Sequence, residues 1–199
     1  MTTPKGIALY PHLHKPDTKF VAEGVFQLSL RLPKDEGLEL HNRLQGILDK
    51  HLDLISKQTG KTPSQIVPLP VKENTDSEGN EVLDFKFKLK PTLRTRQGEV
   101  IEQRPQVFDA GLKPMVGVEV GNGSLVKVSF VAAPYQAPIG AGLSLRLNAV
   151  QVIDLVQYNG GGADDGFAVE EGFSIGDEPK APVVQSNGEG AQTQSASAF

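Results

Sequence analysis

The chain of 199 residues contains no cysteine, which excludes disulfide frameworks and thiolate metal sites. It has no apolar run of transmembrane length, and Met1-Thr2-Thr3-Pro4-Lys5-Gly6 lacks the apolar stretch of a secretory leader. A soluble, intracellular protein without membrane contact is the expectation. Hydrophobic residues make up 38% of the chain, a little low for a compact globule, so part of the chain is expected to lie outside the core. Catalytic patterns are scarce as well. No nucleophile stands beside a plausible base, and the acids fall on expected turns and in the C-terminal segment. Gly60-Lys61-Thr62 matches the end of a phosphate-binding loop, but the first glycine of that pattern would fall where Ile55 stands. His12 and His14 have a spacing that could ligate a metal, yet no acidic cluster nearby completes a site. No enzymatic activity, cofactor or metal is expected.

The net charge of −4 hides an asymmetry. Residues 161–199 hold seven acids and one base, giving −6, whereas residues 1–160 hold 17 acids and 19 bases, giving +2. A slightly basic body with an acidic tail points to nucleic acid as a partner.

The strongest local pattern is Asp84-Phe85-Lys86-Phe87-Lys88-Leu89-Lys90-Pro91-Thr92-Leu93-Arg94-Thr95-Arg96. In an extended chain, alternate side chains point to opposite faces. Phe85, Phe87, Leu89 and Leu93 share one face; Lys86, Lys88, Lys90, Arg94 and Arg96 share the other. A single strand, kinked at Pro91, would bury the first face and display five cations on the second. Like charges along one face repel unless an anion lies across them, and a polyanion is the natural occupant.

Residues 1–19, with Pro4, Pro11 and Pro16, read as irregular. Phe20–Leu32 alternates and reads as a strand that Pro33 ends. Leu40, Leu44, Ile47, Leu48, Leu52 and Ile55 recur at helical spacing, which predicts a helix over 35–57 with Gly60 and Pro63 as its stop. Pro, Asn and Gly over 63–81 predict loop and hairpin chemistry. Gln97-Gly98 reads as a tight turn, with Val100 and Gln106–Phe108 continuing in strand. Val116–Val120 and Leu125–Val131 predict a hairpin around Gly121-Asn122-Gly123. Residues 132–142 predict a loop holding Tyr135. Leu143–Val156 alternates again, with Leu143, Leu145 and Leu147 inside and Ser144, Arg146 and Asn148 outside.

Five to six short strands with one main α-helix predict a mainly β fold, a small partly closed barrel such as the oligonucleotide-binding fold. An open sandwich satisfies the same pattern. The barrel domain is expected over 1–159, followed by a disordered, flexible acidic tail over 160–199, where glycine, serine and acids dominate.

Single-stranded nucleic acid needs a cationic groove for its backbone and aromatic faces for its bases. Candidate backbone contacts are Lys86, Lys88, Lys90, Arg94, Arg96, Arg104, Lys127 and Arg146. Candidate stacking residues are Tyr10, Phe108, Tyr135 and Tyr158. A duplex reader is disfavoured because the one helix has mixed charge and no basic face. An acidic tail could occupy the groove in the absence of nucleic acid and, once displaced, engage other partners.

The segment Gly121–Tyr135, ending in Pro134-Tyr135, and the segment Gly140–Ile153, with Leu145-Arg146-Leu147-Asn148-Ala149-Val150-Gln151-Val152, resemble the single-stranded DNA-binding proteins of tailed phages. Val107-Phe108-Asp109 and Lys113-Pro114 add to the resemblance, which spans roughly 105–165 and is looser over 1–100. It implies an oligonucleotide-binding fold, no enzymatic activity, and coating of single-stranded DNA during phage replication, recombination and repair. Action in the cytoplasm of an infected host cell is expected, with a tail that reaches DNA polymerase or helicase-primase; monomer and homodimer are both left open by the sequence. The resemblance implies an acidic tail ending in an aromatic, and Phe199 fits that ending. The acids, however, cluster earlier, at Asp164, Asp165, Glu170 and Glu171, beside Phe167 and Phe173. Tail docking is therefore expected at that inner cluster, with Phe199 as a second candidate. Two other classes fit less of the chain: a phage structural or assembly protein without nucleic-acid affinity, and an RNA-binding regulator of related fold. Salt-sensitive binding separates the first, and competition between DNA and RNA separates the second.

Overall fold

The computed structural model describes residues 1–157, apart from Ser64 and Arg96. Nine strands and one helix follow in order: β1 (Gly6–Asp17), β2 (Val25–Pro33), α1 (Lys34–Thr59), β3 (Val71–Thr75), β4 (Glu81–Leu89), β5 (Thr92–Arg94), β6 (Val100–Glu102), β7 (Gln106–Phe108), β8 (Leu125–Ala137) and β9 (Gly140–Asp154). Five of them close a ring in which β4, β2, β1, β8 and β9 are successive neighbours and β9 pairs back onto β4. This is the barrel of an oligonucleotide-binding fold. Every ring contact is antiparallel except the closing one, where Lys88 of β4 is the parallel partner of Arg146 of β9. β3 extends the sheet beyond β4, β7 lies parallel beside β9, and β5 and β6 form a separate two-stranded arm.

The interior follows from period-two alternation. Phe85, Phe87 and Leu89 of β4, Phe26, Leu28, Leu30 and Leu32 of β2, Val126, Val128 and Phe130 of β8, and Leu143, Leu145 and Leu147 of β9 are all buried. Phe87 and Phe130 meet edge to face, with ring centroids 5.0 Å apart. Helix α1 packs against β2, β4, β8 and β9, with Leu40, Leu44 and Leu48 in the shared core and Ile55 also buried, and ends at Gly60 in the left-handed conformation. On the outside of the barrel, Arg31 and Asp84 are register partners across β2 and β4. The guanidinium donates to both carboxylate oxygens at 2.8 Å, and Asn74 of β3 donates to one of them at 2.6 Å.

Several local expectations are corrected. Residues 6–17 are a strand despite their prolines: Pro11 and Pro16 fall within the two register irregularities against β2, where no ladder N–H is needed. Tyr10, with φ of 50°, sits in the first of these irregularities. Strand β2 begins at Val25 rather than Phe20, because residues 18–24 form a loop and turn. Val116–Val120 is not a hairpin arm. Gly117 takes a φ of 74°, which breaks the extended run, and β8 pairs with β1 and β9 instead. The loop expected over 132–142 is extended: β8 runs to Ala137 and β9 starts at Gly140, joined by a two-residue turn. Cross-strand hydrogen bonding overrides the Pro and Gly signals there. Finally, the basic stretch is not one kinked strand. It breaks after Leu89, and Leu93, expected in the core, is 40% exposed in β5 opposite Ile101.

Candidate nucleic-acid interface

The closing β4–β9 junction forms an open groove of about 570 Å³. Its base is apolar, from Leu89, Leu143 and Leu145. Lys86, Lys88 and Lys90 from β4 and its end, Ser144 and Arg146 from β9, and Tyr135 from β8 line it above that base. Val67, Pro68, Pro70 and Leu93 of the β5–β6 arm complete the lining. The alternation of β4 therefore performs two tasks: one face fills the barrel and the other charges the groove.

Tyr135 is positioned by a missing side chain. It lies opposite Gly142 in the β8–β9 ladder, and a Cβ at Gly142 would stand 2.6 Å from the Tyr135 hydroxyl and 2.7 Å from Cζ. The ring therefore rests on the glycine backbone, beside Val67, and is held half-exposed within the groove.

Arg146 is oriented by Gln103, whose side-chain oxygen accepts from its Nη2. The backbone N–H of Gln103 donates to the Pro91 carbonyl at 2.7 Å, which ties the base of the β5–β6 arm to the end of β4. A neutral amide thus aims the guanidinium without cancelling its charge. The pKa of Lys86 is held below its ordinary value, first by partial burial and then by the neighbouring cations Lys88 and Lys72.

Comparison with solved structures places this barrel among known ones. Bacteriophage T7 gp2.5, a single-stranded DNA-binding protein, matches 89% of this chain and 98% of its own, with a TM-score of 0.67 and 23% identity. The single-stranded DNA-binding protein of bacteriophage Enc34 in complex with single-stranded DNA matches 80% of this chain and 88% of its own, with a TM-score of 0.53 and 17% identity. The chain has the fold of these phage proteins. No protein-family model and no curated protein matches it.

The groove gathers Lys86, Lys88, Lys90, Arg146 and Tyr135 from the sequence-derived candidates. The others lie elsewhere. Arg94 is exposed on the arm, paired with Val100, one position beyond the groove-lining Leu93. Arg104 is exposed between β6 and β7, and Lys127 is half-buried on β8 opposite Gln151. Phe108 is half-buried on β7, bridged to Pro114. Tyr10 is 72% exposed, and its backbone N–H donates to the Asn122 side chain at 2.9 Å. Arg96, Tyr158 and all the tail candidates, Asp164, Asp165, Phe167, Glu170, Glu171, Phe173 and Phe199, lie outside the described residues. Gln103, Ser144, Val67 and Leu93 were not legible as groove residues, since each reaches it through a connection or pairing that local pattern does not encode. No helix among the described residues is long and apolar enough to cross a membrane.

Proposed function

We propose that this protein binds single-stranded DNA through the β4–β9 groove and acts without catalysis. The observation that carries this reading is the convergence of three lysines, an arginine and a tyrosine over one apolar trough. Phosphates would follow Lys86, Lys88, Lys90 and Arg146, while an unpaired base stacks on Tyr135. Base stacking tolerates any sequence, and phosphate contacts read none, so coating rather than site recognition is the expected behaviour. The shared fold with two phage proteins that bind single-stranded DNA supports the same reading. Coating of DNA during phage replication, recombination and repair, in the cytoplasm of the infected cell, follows as the biological role. Residues 1–159 form the binding domain in this proposal. The acidic segment 160–199 competes for the groove and recruits polymerase or helicase-primase.

The test is fluorescence anisotropy with labelled oligo-dT across a salt series, against duplex and RNA competitors. Tight, salt-sensitive, single-strand-selective binding is expected. Absence of binding would turn the reading to a structural or assembly protein, and preference for RNA would turn it to an RNA-binding regulator.

A further inference from the structure

The β1–β2 loop, residues 18–24, carries features that the groove does not use. Phe20 at its tip is 84% exposed, and Val21 beside it is 47% exposed. Large apolar side chains in this position stabilise no core. Yet the loop is built rather than slack. The Lys19 backbone N–H donates to Asp17 Oδ1 at 2.9 Å, and Gln27 Nε2 donates to Asp17 Oδ2 at 2.8 Å. At the other end, the Gly24 N–H donates to the Val21 carbonyl at 2.8 Å. Gly24, with φ of +74°, packs so closely on Pro16 that an added Cβ would stand 2.7 Å from the proline Cβ. Lys19 Nζ lies over the Phe20 ring itself, 5.5 Å from its centroid.

The loop also leads directly into the groove. Asp17 and Val25, which flank it, are register partners, and the next residue, Phe26, pairs with Leu89. Val25 lines the groove together with Lys88 and Lys90. A strand of DNA leaving the groove past Lys90 therefore meets the rim from which the loop projects.

We infer that Phe20 is a second base-stacking contact, which extends the single-stranded DNA path beyond the groove. This rests on the function proposed above. One face of the ring is buttressed by the Lys19 ammonium, leaving the opposite face for a nucleobase. Within the loop Lys19 is balanced by Glu23, so the contact adds stacking without adding net charge. That sets it apart from the lysines of β4: its loss lowers affinity while leaving the salt dependence unchanged.

The chain contains no tryptophan, so Phe20→Trp introduces a single reporter. With full-length protein and oligo-dT of increasing length, saturating DNA is expected to quench the indole emission of this variant while affinity is retained. Phe20→Ala is expected to lose about 5-fold or more in affinity for the longer oligonucleotides, with an unchanged salt slope and an unchanged melting temperature. Unaltered emission in F20W at saturation, with F20A binding as wild type, would overturn the assignment. That outcome is distinct from failure of wild-type protein to bind oligo-dT, which would overturn the proposed function itself. A loss of melting temperature in F20A with no quenching in F20W would make the ring a structural element and also overturn it.

Discussion

Lys88 and Arg146 are register partners across the one parallel contact that closes the barrel. Two strands whose inner faces fill the core thus bring their outer cations side by side, and mutual repulsion there is relieved when a phosphate lies between them. Lys88→Ala and Arg146→Ala are each expected to weaken oligo-dT binding and to reduce the salt slope by about 0.7. Gln103→Ala, which removes the group that aims Arg146, is expected to weaken binding in wild-type protein and to add little in the Arg146→Ala background. Salt-series anisotropy on the single and double variants checks this, and unchanged slopes would remove these residues from the DNA path.

In the proposed mode of binding, Lys86 is expected to make affinity sensitive to alkaline pH. Its pKa in the free protein is lowered by desolvation and by Lys88 and Lys72, and a bound phosphate favours the charged form and raises it again. Affinity is therefore expected to be complete below the lowered pKa and to decline as pH rises through it. Lys86→Arg, which stays charged, is expected to flatten this decline. Parallel profiles for the two proteins would show that Lys86 does not sense DNA.

Tyr135 and Gly142 form a unit. Tyr135→Ala is expected to cost about 1–3 kcal/mol of binding through lost stacking. Gly142→Ala places a methyl group where the ring rests and is expected to displace the tyrosine, lowering affinity while the barrel still melts cooperatively. Anisotropy and thermal denaturation together distinguish this from unfolding, which would make Tyr135 a core residue.

Removal of residues beyond Gly162 is expected to tighten binding, most strongly at low ionic strength, because competition by an acidic segment is screened by salt. Equal affinities of the 1–162 and full-length proteins at low salt would exclude competition for the groove.

Phe87 is fully buried against Phe130. Phe87→Ala is expected to destabilise the barrel by about 3–5 kcal/mol, read as a lower denaturation midpoint. Lys88→Ala, on the opposite face of the same strand, is expected to leave that midpoint nearly unchanged.

Period-two alternation in β2, β4, β8 and β9 and the helical spacing from Leu40 to Ile55 are local properties. Burial follows them because a side chain's face is set by the backbone geometry of its own element. The cationic face of β4 and the acidic excess beyond residue 160 are legible for the same reason: they require only neighbours in sequence. Local signals failed where pairing with a distant strand outweighed them. The prolines of β1 fell into register irregularities, the Pro and Gly residues around Tyr135 were drawn into the β8–β9 hairpin, and Leu93 left the core once the chain turned after Leu89. The groove belongs to that second category. Lys88 meets Arg146, Tyr135 rests on Gly142, and Gln103 reaches Arg146 only because β9 returns parallel to β4 and closes the ring. Residue types and their faces were determined by the sequence alone. Which faces meet was decided by the tertiary structure, since closing the barrel is the arrangement that buries both apolar faces at once.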